Sequence, residues 1–160
     1  MRRHLFILLS CVFLFFSCRK PSEKSVSKLS VKLITQSKTY LGTPYGSSGT
    51  TSKAMDCSGL IYRTFLDLDM KFPRMAYQQA SVYNEVEKDK IKQGDLLYFV
   101  VSGSTIDHTG LVVEAKNPKA IMFIHASSSK GVRIDNLYSS YWLPKFVKAT
   151  RPEEGLSKKL

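Results

Sequence analysis

The apolar pattern of this chain changes period part-way along, and that change limits the folds open to it. In the first half, Val31, Leu33, Ile34, Ser37, Tyr40 and Leu41 recur at helical spacing and predict a first helix, stopped by Gly42-Thr43-Pro44. Leu60, Ile61, Thr64, Phe65 and Leu68 form one stripe of a second helix, with Asp56 placed to cap it. Pro73 predicts a third, shorter helix through Arg74, Tyr77, Gln78 and Val82, because proline is tolerated in a first turn. After the turn signal Gly94-Asp95 the pattern becomes strand-like, with an apolar run from Leu96 to Val101 and further strands expected over 108–115, 120–126, 132–136 and 145–150. Helices first and strands afterwards, without alternation, predict an α+β fold in which N-terminal helices pack on an antiparallel sheet.

Residues 1–17 read as an export signal: Arg2 and Arg3, then an apolar run from Leu5 to Phe16. The run is shorter than the roughly 20 residues a spanning helix needs. Ser17-Cys18 at its end resembles the bacterial lipoprotein processing site, which implies cleavage before Cys18, a lipid on its sulfur and a membrane-anchored protein of the bacterial cell envelope, facing the periplasm or the outside. An ordinary secretory cut nearby is the alternative, since Phe15 stands where leucine is usual. Residues 18–30, rich in lysine and serine, read as a flexible tether, 31–152 as a single domain and 153–160 as a polar tail.

Lysine and arginine number 24 against 13 acidic residues, a net charge of +11 of which Arg2 and Arg3 supply two. The basic residues are scattered and follow no nucleic-acid-reading motif, so a solvated basic surface is expected and no nucleic-acid partner. Cys57 is the thiol left over once Cys11 and Cys18 are assigned to the leader, and it has no disulfide partner. It lies where a loop should turn into a helix. Unpaired N–H groups and partial positive charge at a helix start favour thiolate, so a lowered pKa is expected for this sulfur.

The histidines can be placed by counting. Lys116-Asn117-Pro118-Lys119 looks like a hairpin connection. A symmetric loop sets Ala115 opposite Ala120, Val113 opposite Met122 and Gly110 opposite His125, with His108 two positions from Gly110 on the same face. His108 and His125 are then diagonal neighbours, roughly 7 to 8 Å apart at Cβ. Each alone could be an ordinary half-buried sheet residue. Two imidazoles with Cys57 and a carboxylate could also hold a metal, but no CxxC or HExxH pair is present, and neither metal nor cofactor is expected. The three together fit the nucleophile, base and orienter of covalent catalysis. Asp107 is adjacent to His108 but should point to the opposite face.

Tyr45 to Gly49, Asp56-Cys57-Ser58-Gly59-Leu60, Phe72-Pro73-Arg74, Gly94 to Phe99, His108 to Val113 and Phe123 to Ser127 follow one another in an order that resembles NlpC-type cell-wall peptidases. The resemblance spans nearly everything from Lys32 to Pro152. It implies a papain-like α+β domain that hydrolyses amide bonds in peptidoglycan stem peptides, commonly between D-glutamate and the following diamino acid. It further implies Cys57 as nucleophile, His108 as general base and His125 as polar third member. Tyr45 matches an oxyanion-stabilising tyrosine. Asp56 and Ser58 match residues that in some members contact the substrate's free amino end, and Arg74 is a looser candidate for a substrate carboxylate. Each of the last three has a plainer reading, as a helix cap, a packed first-turn residue and a surface charge. Where the family often has paired glycines after the tyrosine, this chain has Ser47-Ser48-Gly49. A catalytically silent wall-binding lipoprotein and an acyl or amide transferase using the same thiol are the alternatives.

Overall fold

The computed structural model describes residues 26–117 and 119–152. The segment read as an export signal, Cys18 and the 153–160 tail lie outside the described residues. Helix α1 (Lys28–Lys38) begins inside the segment read as tether, because the Ser27 side chain caps it by accepting from Ser30 N–H at 3.0 Å. The glycine and serine loop that follows carries a small hairpin, β1 (Thr50–Thr51) and β2 (Ala54–Met55), where only a loop was expected. Helix α2 (Cys57–Leu66) forms as expected. Helix α3 (Ala76–Gln79) is a single turn and Pro73 stands outside it. Its neighbours explain the shortening: Phe72 stacks on Phe65 at 4.0 Å and Tyr83 on Phe72 at 5.8 Å, so both ends of the segment are drawn onto α2.

The strands β3 (Glu85–Val86), β4 (Leu96–Phe99), β5 (His108–Asn117), β6 (Ala120–Ser127), β7 (Gly131–Asn136) and β8 (Phe146–Thr150) form one sheet in the order β3-β8-β4-β5-β6-β7, with every pairing antiparallel. The α+β expectation holds. One face carries Leu96, Tyr98, Leu111, Val113 and Ile124 against Leu33 of α1 and Leu60, Ile61 and Phe65 of α2. The other carries Leu97, Phe99, Val112 and Phe123 and is covered by no helix of that kind; Leu137 and Trp142, from the segment between β7 and β8, close it. Full burial of a large apolar side chain is worth about 1.5–3 kcal/mol, so both faces contribute to stability.

The β5–β6 register agrees with the count at one end only. Leu111 pairs with Ile124 and Val112 with Phe123, as a partnership of Gly110 with His125 requires. Nearer the turn, Glu114 pairs with Met122 and Asn117 with Ala120, and the expected partners Val113/Met122 and Ala115/Ala120 do not form. Two irregularities, between Val112 and Glu114 and between Glu114 and Asn117, absorb the extra residues before the slip reaches the histidines. Among the described residues, no helix is long and apolar enough to cross a membrane.

Candidate active site

Cys57 opens α2, and the surrounding residues fix the sulfur's position. Asp56 is extended, and its Oδ1 accepts from Gly59 N–H at 2.7 Å, the bond of an N-cap aspartate. Gly59 is required there, since a Cβ would lie 2.0 Å from the Gly49 carbonyl oxygen. That same carbonyl accepts from Asp56 N–H at 3.2 Å, tying the Tyr45 loop to the helix start. Cys57 is 8% exposed, and its S–H donates at 3.6 Å to the carbonyl of Asp107, just ahead of β5. The expectation of a lowered thiol pKa fails. Burial, and after it the Asp56 carboxylate, push the thiol up to about 11 against the pull of the Thr109, Ser58 and Cys57 N–H groups. A helix start favours thiolate in a sulfur that water can reach; this one has been dried and set beside a negative charge.

His108 opens β5 and lines, with Cys57 and Tyr45, a cavity of about 580 Å³. Its Nε2 lies 3.1 Å from His125 Nδ1, so the diagonal pair read from the sequence is in contact. Gly110 makes room, because a Cβ there would lie 2.5 Å from the Phe123 ring and 3.2 Å from His125 Cβ. His125 is wholly buried, and its Nε2 lies 3.0 Å from Asp135 Oδ2. The same oxygen accepts from Trp142 Nε1 at 3.2 Å, and Asp135 Oδ1 pairs with Arg133 Nη2 at 2.7 Å. The Trp142 ring stacks on His108 with centroids 4.9 Å apart and meets His125 edge-on.

These surroundings set the charges. Burial, then the neighbouring His125, drive His108 down to about 3. His125 is lowered too, chiefly by burial, with Asp135 opposing. Burial tends to raise Asp135, but hydrogen bonds from His125 and Trp142 and the charges of His125 and Arg133 outweigh it and hold its carboxyl below the usual range. Both shifts favour the neutral form, thiol for Cys57 and imidazole for His108. Both ring nitrogens of His125 are engaged within the chain, and among the described residues no cluster of three or more His, Cys, Asp or Glu side chains is arranged to hold a metal ion.

Tyr45 is 38% exposed on the cavity wall. Its pKa is raised, by burial first and then by the charges of Cys57 and Asp56, so the phenol keeps its hydrogen and remains a donor. Asp56, Ser58 and Arg74 meet one another outside the cavity lining. Arg74 Nη1 and Nη2 reach the two Asp56 oxygens at 3.0 and 2.5 Å, and Nη1 also donates to Ser58 Oγ at 2.8 Å. Carboxylate and guanidinium thus occupy each other. The Asp107 carboxylate accepts from the N–H groups of Val101 and Ser102, both at 2.7 Å, which closes the loop before β5.

A family model described as NlpC/P60 family matches residues 42–151. The chain belongs to the NlpC/P60 family. It is 39% identical over 118 residues to the probable endopeptidase NlpC of Escherichia coli, covering 72% of this chain and 73% of that one. It is 33% identical over 132 residues to the murein DD-endopeptidase MepS/murein LD-carboxypeptidase of the same organism, covering 81% and 67%. A solved NlpC/P60 family protein of Bacillus cereus superposes with a TM-score of 0.68 at 24% identity, a likeness that concerns the fold. The superposition covers 76% of this chain and 39% of that one, so the chain spans about two fifths of the solved protein's length.

Within this NlpC/P60 domain the sequence reading missed Asp135, Trp142 and Arg133. A signal for two of them existed. The β6–β7 turn pairs Ser127 with Gly131, which sets His125 opposite Arg133 and Phe123 opposite Asp135. The counting that joined His108 to His125, carried over one more turn, puts Asp135 diagonal to His125. Trp142 lies in an irregular segment after β7, where no period applies.

Proposed function

We propose that the protein is a cysteine endopeptidase that hydrolyses amide bonds in peptidoglycan stem peptides, with Cys57 as nucleophile, His108 as general base and His125 as its orienting partner. The observation that carries this reading is one cavity shared by Cys57, His108 and Tyr45, with His125 hydrogen-bonded to the back of His108. The endopeptidase names of the relatives support the reaction class.

The charge state sets the order of events. Because the resting thiol is protonated, its proton moves to His108 as sulfur attacks the carbonyl carbon, rather than beforehand. His108 Nε2 is held by His125, which leaves Nδ1 to take that proton. The Cys57 N–H and the Tyr45 hydroxyl donate to the oxygen that becomes negative. His108 then returns the proton to the departing amine as the C–N bond breaks, leaving a thioester. Neutral His108 next takes a proton from water, which attacks the thioester and releases the acid.

The bond cut is that between D-glutamate and the diamino acid, the one that the resemblance to NlpC-type cell-wall peptidases implies. The Asp56–Arg74 pair bears on the substrate's other end. By the same resemblance Asp56 and Ser58 contact the substrate's amino end, and Arg74 already holds the Asp56 carboxylate. The protein acts in the cell envelope, anchored to a membrane through a lipid on Cys18. Digestion of purified sacculi, with masses of the released fragments, tests the reaction and the bond together. Fragments ending in D-glutamate are expected. Fragments cut at the D,D cross-link would reassign the bond, amine adducts would mean transfer, and no fragments at all would leave a silent binder. Labelled fatty acid should enter wild type and not Cys18→Ser; equal labelling removes the lipid.

A further inference from the structure

The chain of contacts behind His108 ends in a group that can only accept hydrogen bonds. Ionised Asp135 receives two N–H donors at one oxygen, from His125 Nε2 and Trp142 Nε1, and forms an ion pair with Arg133 Nη2 at the other. The hydrogen between His125 and Asp135 therefore sits on His125 Nε2. Neutral His125 then has only a lone pair at Nδ1, and the hydrogen in its bond to His108 sits on His108 Nε2. His108 Nδ1 is left with its lone pair free for the thiol proton.

We propose that Asp135 is a positioning residue for the proposed peptidase, fixing through His125 which nitrogen of His108 acts as base and balancing the positive charge that His108 acquires when it takes the Cys57 proton. The proposal rests on the peptidase reading for its kinetic half only. When the thiol proton reaches His108 Nδ1, no other proton has to move: His108 Nε2–H still donates to His125, and His125 Nε2–H to Asp135. One negative charge then stands behind two rings that carry one positive charge between them. Arg133 moderates that charge from the cavity side, and Trp142 keeps water off both rings.

Asp135→Asn isolates the charge. Two donors converge on Oδ2, so the amide oxygen takes that place, and the NH2 faces Arg133, which is partly exposed and able to turn outward. Ring positions are kept while the carboxylate is lost. The groups facing this network are His125 from β6, Arg133 beside Asp135 on β7, His108 from β5, and Asp107 and Cys57 around His108. On stem peptides, kcat should fall about 10²-fold, within the range of general acid–base assistance, with KM little changed. The acid limb of the kcat profile should move to lower pH, because the anion that favours protonated rings is gone. A fall in kcat with the limb unmoved would mean a merely structural role and would overturn the proposal. Nitrogen-15 NMR of the substrate-free wild type should find hydrogen on Nε2 of both rings; hydrogen on His108 Nδ1 would overturn it as well. The NMR readout needs no turnover, so a protein that shows the Nε2 pattern but cleaves nothing refutes the peptidase reading and leaves the tautomer assignment standing.

Discussion

The two faces of the sheet are built to different ends. The helix-covered face is filled mainly by Leu33, Leu60, Ile61, Phe65, Leu111 and Ile124, and its phenols, Tyr83 and Tyr98, are held in the neutral form by burial. The opposite face mixes Phe99, Phe123 and Trp142 with His108 and His125, and its cover is an irregular segment instead of a helix. Helical packing supplies area; an irregular segment can aim an indole N–H at one carboxylate oxygen. Cys57 joins the two, since it comes from a helix on the first face and meets β5 at the strand end where His108 begins. The difference teaches that a pair of imidazoles can be confined to one side of a sheet while both sides contribute to stability, with strand alternation keeping the two kinds of face apart.

Four measurements would break or sharpen that contrast. Cys57→Ala should abolish release of fragments from sacculi while the melting temperature stays near that of wild type; residual cleavage would remove the nucleophile. His108→Ala should slow turnover by about 10²–10⁴-fold, as expected for loss of a general base, and His125→Ala by less. The reverse order would exchange their roles. On the other face, Phe65→Ala should cost about 3–5 kcal/mol in urea unfolding with turnover per folded molecule unchanged, whereas Trp142→Phe, which removes one donor to a charged group, should cost about 1.5–3 kcal/mol and lower turnover as well. Equal behaviour of the two would erase the contrast. The smallest effect is on pH. His108 and His125 are held below their ordinary value of 6.5, so the unfolded chain binds more protons than the folded one in acid. The contribution of these two histidines to stability is therefore full above pH 6.5 and lost as pH falls toward 3, the pH to which His108 is driven. His108→Phe should flatten that slope in urea midpoints, and an unchanged slope would place its origin elsewhere.

Much of this arrangement was legible in the chain. Asp56 announced the α2 cap, a strand was expected over 108–115, and the hairpin count put His108 and His125 on one face. The hairpin count held at His125 because the irregularities in β5 lie nearer the turn. What escaped depended on contacts distant in sequence. The length of α3 was set by Phe72 and Tyr83 stacking on α2, and the thiol's proton affinity by burial against β5, where a helix-start argument sees only the helix. Asp135 looked like one more polar residue on a strand until β7 was paired with β6.

The dry, protonated state of Cys57 has a consequence beyond turnover. Peroxide and alkylating agents attack the thiolate, and at neutral pH a thiol with a pKa of about 11 offers almost none of it. For a protein exported as proposed, with no glutathione pool around it, the resting sulfur is thereby less open to oxidation to sulfenic acid, and under the proposed mechanism it becomes nucleophilic only in the encounter with an amide carbonyl.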